Sequence, residues 1–135
     1  FYEKRGRFMP HDPATRSLDD RVRAQHMFIA AKQARGFVSD RTRADLDSDP
    51  MLARALLHAI QEIGEAASKI SALGRDRITG VPWEKIVGMR HRLVHGYWDV
   101  NFDLVWVVVN RDLPPLIAAL ERAFVSWPLP EPPAP

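Results

Sequence analysis

The segment 88–98 reads GMRHRLVHGYW and gathers Arg90, His91, Arg92, His95 and Tyr97 between apolar positions. Arginine offers a permanent charge on a planar fork that matches phosphate. Histidine gives and takes protons near neutral pH. Three uses of such a segment compete. His91 and His95 could form an H-x-x-x-H metal pair, although zinc wants a third ligand and no acidic residue stands between them. The cations could simply favour the negative end of a helix. Or the group could cleave a phosphodiester without metal. Arg90 would then hold the phosphate, and His95 would serve the proton transfers that a 2′-hydroxyl attack needs.

Geometry bears on the choice. If 82–95 is one helix ended by Gly96, His91 and His95 share a face, four residues apart. Arg90 and His95 are then about 140° apart around the axis. They would converge only at the helix end, or between two copies of the chain related by a two-fold axis. A homodimer is therefore expected.

The elements that must position this segment are helical. Ser17-Leu18-Asp19-Asp20 has the form of a helix start, and Gly36 a stop. Between them Leu18, Val22 and Ile29 fall at helical spacing, with Phe28 widening the apolar face, and His26 lies on the same stripe. Residues 40–49 are polar and form a short helical turn or loop. Asp49-Pro50 opens the clearest helix, because proline at the first helical position loses no needed N–H. Its stripe is Leu52, Leu56, Ile60, Ile63, Ala67 and Ile70. Ala59, Gly64 and Ala66 leave room for a close neighbour, and Gly74 marks the end. After a loop at 75–81, Pro82-Trp83-Glu84 begins the helix that carries the cationic segment. Asn101 is a candidate cap for a last helix, which Pro114-Pro115 should kink or interrupt. No strand alternation occurs. The fold class expected is all-α: an antiparallel bundle of four main helices plus a short one. The expected organisation is an N-terminal extension (1–16), one helical domain (17–127) and an extended Pro-rich tail (128–135). Residues 1–8, ahead of Met9, are expected to be vector-derived or to belong to an alternative start.

Composition narrows the function classes. The 135 residues are 46% apolar and 27% charged, enough for a core in one domain. No run of eighteen apolar residues occurs, and no apolar segment follows the basic start, so a cytoplasmic protein is expected. The lack of cysteine excludes disulfides, thiolate nucleophiles and Cys-ligated zinc. The net charge is +2, but 69–92 holds six Lys and Arg against two acids, a local surface able to hold phosphate.

Residues 90–97, RHRLVHGY, have the form Arg90-x4-His95-x-Tyr97. This resembles the motif of HEPN domains in the version carried by HepT-like toxins. IQEIGEAASKIS (60–71) is similar to that family's IGEA helix, and 81–116 resembles its motif helix, turn and following helix almost throughout. The resemblance implies a helical bundle that dimerises with its motif helices facing each other. It implies a metal-independent ribonuclease toxin with no cofactor, partnered by a minimal nucleotidyltransferase antitoxin that transfers AMP onto the motif tyrosine. By position Arg90 and His95 resemble the catalytic pair and Tyr97 the modified residue, with His91 and Arg92 supporting it or binding RNA. His91 departs from the polar Asn or Asp frequent at that place. The alternative is a non-catalytic binding subunit, or a substrate of the nucleotidyltransferase partner.

Overall fold

The computed structural model describes residues 12–94 and 99–132. The described residues are helix, turn and coil, with one isolated antiparallel bridge between Val94 and Val100 and no strand. The all-α expectation holds.

Helix α1 spans Pro13–Phe37. Its cap is Asp12, whose carboxylate accepts the Thr15 amide at 2.9 Å, so the helix starts four residues before the Ser17 signal. Ser17 lies inside α1, and its hydroxyl accepts from the Trp127 indole and the Arg77 guanidinium, both at 3.2 Å. Gly36 does not stop the helix, which runs on to Phe37. The buried face also differs from the expected stripe. Leu18 and Ile29 are 43% and 45% exposed, while Asp20, Ala24, Met27, Ala31 and Ala34 face inward. Those five repeat at intervals of four and three, a helical stripe built mainly of alanine. Small side chains let α1 lie close against its neighbour, and closeness rather than bulk selects this face.

That neighbour is α3, Pro50–Ser68, reached through the short α2, Asp45–Ser48. Asp49 caps α3 by accepting the Leu52 amide at 3.1 Å. That bond first, and the Arg41 guanidinium second, hold its carboxyl below the usual carboxylate range. The predicted stripe from Leu52 to Ile70 is buried throughout, at 5% exposure or less. Each such Leu or Ile contributes about 1.5–3 kcal/mol of burial. The helix stops at Ser68, not at Gly74, which sits instead within α4, Ala72–Asp76.

Residues 82–95 do not form one helix. They give α5, Trp83–Val87, and α6, Met89–Leu93, broken at Gly88. Asn101 caps α7, Phe102–Val107, as expected, its side chain accepting the Leu104 amide at 3.0 Å. The α-helical ladder of the last helix is interrupted ahead of the proline pair, as expected. A π-helical turn, Val108–Asp112, passes into α8, Leu113–Val125, with Pro114 and Pro115 in its first turn. Two prolines withdraw two amides from the ladder, and the chain widens so that the Leu113 amide reaches the Val108 carbonyl.

Contacts at the helix ends set the directions. Asp20, early in α1, bonds Ser71 just beyond α3, so those two helices run antiparallel. Arg21 reaches Trp127 after α8, while Arg35, late in α1, reaches Asn110 before it, so α1 and α8 are antiparallel too. Arg21 is buried, with its guanidinium over the Phe124 ring, and burial pulls it below its usual pKa. Among the described residues no helix is long and apolar enough to cross a membrane.

Candidate functional site

Helix α6 carries the cationic segment, and its packing decides where each side chain goes. Met89 and Leu93 are buried at 1% and 0% exposure, and Ile86 of α5 joins them at 4%. With that stripe held inward, Arg90 and His91 are left exposed. They line a shallow open cleft with Gln61, Gly64 and Ser68 of α3 and Val87 of α5. Glu65 shares the cleft and accepts a hydrogen bond from Gln61 at 3.1 Å. Among the described residues no carboxylate makes an ion pair with Arg90.

Arg92 turns the other way and is half-buried. It donates to the Lys85 carbonyl at a long 3.4 Å, and its buried Nε has no partner.

The helix ends at Leu93, not at Gly96. Val94 is extended and bridges to Val100, and the Asn101 amide donates to the Leu93 carbonyl at 2.8 Å. His95 and Tyr97 lie outside the described residues. The helical spacing between His91 and His95, and the angle between Arg90 and His95, therefore do not apply, because the frame breaks at Val94. The expectation of a dimer loses that geometric support. Among the described residues no group of three His, Asp or Glu side chains could hold a metal ion. His26 is exposed, and His58 pairs with Glu62 at 3.5 Å on the outer face of α3.

What holds the cleft together is the α3 contact. A β-carbon on Gly64 would lie 3.5 Å from the carbonyl oxygens of Ile86 and Val87, an ordinary contact distance. Gly64→Ala is therefore expected to fit and to raise stability by up to about 1 kcal/mol through helix propensity. Gly64→Leu has no such room and should push α5 and the start of α6 outward, costing about 1–3 kcal/mol. Urea unfolding midpoints of the two variants check both signs.

Among the described residues two polar residues are buried, Arg21 and Asp20, the latter expected only as the acid of a helix start at Ser17. Asp20 accepts the Ser71 amide at 2.9 Å and its hydroxyl at 2.5 Å, and Ser71 in turn caps α4 at the Gly74 amide. Asp20 so fixes the chain between α3 and the loop that leads to α5. The four-and-three alanine repeat of α1 carried the signal for it, since Asp20 continues that repeat inward.

Comparison with known proteins gives the family. The family model described as Ribonuclease HepT-like matches residues 27–123, which hold both the cleft and the Arg90–Tyr97 pattern. The chain is 36% identical over 72 residues to a protein of Caldanaerobacter subterraneus subsp. tengcongensis named "Putative RNase", covering 53% of this chain and 64% of that relative. It is 31% identical over 85 residues to a "Putative RNase" of Methanocaldococcus jannaschii, covering 63% and 78%. A "Probable ribonuclease HepT" of Thermococcus cleftensis shares 31% over 68 residues, 50% of this chain and 62% of the relative. No solved structure matches.

Proposed function

Because the chain belongs to the HepT-like ribonuclease family, we propose that it is a metal-independent endoribonuclease in which Arg90 and His95 act on the scissile phosphate. The observation that carries this reading is Arg90 itself. It stands exposed, in no ion pair with a described carboxylate, in an open cleft lined also by His91 and Glu65, five residues before His95. The reaction is a transesterification. A histidine removes the proton of the 2′-hydroxyl, whose oxygen attacks phosphorus. The bond to the 5′-oxygen breaks, and that oxygen takes a proton from a second acid. The products are a 2′,3′-cyclic phosphate and a free 5′-hydroxyl. Arg90 stabilises the charge that grows on the phosphoryl oxygens.

One chain offers one such Arg/His pair, and a homodimer would supply base and acid together. In the cell the protein acts as the toxin of a pair, held inactive by a nucleotidyltransferase partner that adds AMP to Tyr97. An added phosphate two residues from His95 repels and blocks RNA. The expected setting is the cytoplasm.

The test uses protein purified without the partner, its intact mass showing unmodified Tyr97. Labelled tRNA and an mRNA pool are incubated with it in EDTA. Cleavage to 2′,3′-cyclic ends supports the reading. No cleavage moves the assignment to a binding subunit, or a substrate, of the nucleotidyltransferase. Co-expression with the partner should add the mass of AMP to Tyr97, and an unchanged mass would remove the modification from the proposal.

A further inference from the structure

Helix α6 sends its two arginines to opposite sides. Two residues on a helix are about 200° apart, so Arg92 leaves the Arg90 cleft behind it. Arg92 lines a second pocket, of about 200 Å³, between α5–α6 and the π turn. Lys85 and Arg111 line it as well, and Arg122 approaches its rim, 3.8 Å from where a β-carbon on Gly80 would sit. The opposing acid is Asp112, which accepts from Arg111 Nε at 3.3 Å. Among the described residues no carboxylate pairs with Lys85 or Arg92. The floor is apolar, made by Ile86, Met89 and Leu116.

A concave site with three cations on its wall and an apolar floor fits a nucleoside phosphate. The guanidinium groups match the phosphate, and the floor offers a face to the base. The π turn matters here, because it supplies both Arg111 and Asp112.

We propose that this pocket is a second nucleotide site, which holds one backbone phosphate and its base from the same RNA strand that presents its scissile phosphate to Arg90. The strand then straddles α6, whose width with side chains is about 10–12 Å. This rests on the ribonuclease reading above, and it predicts that binding extends beyond the cleaved bond.

The test separates the two. The probe is a fluorescein-labelled octamer of 2′-O-methyl RNA, which has no free 2′-hydroxyl and is not cut. Its affinity is followed by anisotropy at several salt concentrations for wild type, Lys85→Gln, Arg111→Gln and the double variant. Both side chains are exposed, so folding is not at stake. Each lost phosphate contact should weaken binding about fourfold at 150 mM salt and lower the salt slope by about 0.7. Octamer affinity and slope unchanged in the double variant overturn the site, even if the enzyme cleaves RNA. Losses that appear in a protein which never cleaves RNA leave the site standing and sink the nuclease reading alone. A third arm uses 5′-AMP as competitor. If the substitutions abolish AMP binding and spare the octamer, the pocket serves a free nucleotide and the strand path is wrong.

Discussion

Purified His95→Ala protein is expected to cleave RNA about 10²–10⁴-fold more slowly than wild type, the usual loss when a proton-transfer group is removed. Arg90→Ala should lose about 10²–10³-fold, because it removes fixed charge from the developing phosphoryl oxygens. The two losses should differ in kind from a binding defect. A group that acts in the transition state lowers kcat, whereas a group that only holds RNA raises KM and leaves kcat alone. Arg90→Lys sharpens this, since it keeps the charge and gives up the bidentate fork. An intermediate kcat is expected for it. Arg90 is exposed and makes no described ion pair, so its variants should unfold at the wild-type urea midpoint. Cleavage undiminished in His95→Ala would remove the proposed chemistry, whatever Arg90 does.

The second large effect is on stability and lies at the Asp20–Ser71–Gly74 contact. Asp20 is 4% exposed, and its carboxylate takes both the amide and the hydroxyl of Ser71. Hydrogen bonds to a charged acceptor are worth about 1.5–3 kcal/mol each, though not additively, so Asp20→Ala should cost about 2–4 kcal/mol. Gly74→Ala should cost about 1–3 kcal/mol for a different reason. Its new β-carbon would lie 2.5 Å from Asp20 Oδ2 and 2.8 Å from the Ile70 side chain, closer than atoms tolerate. The pair therefore makes a double-mutant cycle. With the Asp20 carboxylate gone, part of the Gly74→Ala penalty disappears, and a coupling of about 1 kcal/mol or more is expected. Strict additivity in urea unfolding would show that the clash is relieved elsewhere. Loss of this contact frees α4 and the loop before α5, so RNA cleavage should fall together with stability.

Some of this was legible because its cause is local. Asn101 caps a helix because an acceptor side chain placed before a helix meets the free amides of its first turn, and Pro50 opens α3 because it gives up no needed N–H there, whatever the rest of the fold does. The stripe from Leu52 to Ile70 is buried because large apolar groups at helical spacing have one face to hide. The cationic segment and its kinship were legible as a pattern of residue types. Other expectations failed where a distant part of the chain intervened. On α1 the bulkier apolar residues lost the inward face to alanine, because the close approach of α3 selects for space and a sequence window carries no information about its neighbour. The segment after Leu93 could have continued as helix on propensity alone, yet Val94 pairs with Val100 and the helix ends.

Residue order was thus sufficient for an all-α chain with a long α3, the starts of α3 and α7, and Arg90, His95 and Tyr97 in the order of the HepT-like pattern. Folding in three dimensions was needed to bury Asp20 against Ser71, 51 residues away. It was needed as well to set a π turn just ahead of the proline pair, and to turn Arg90 and Arg92 toward two different clefts. One cause runs through all three: capping and periodicity act within a few residues, whereas packing distance and the partner of a buried charge are set between elements far apart in the chain.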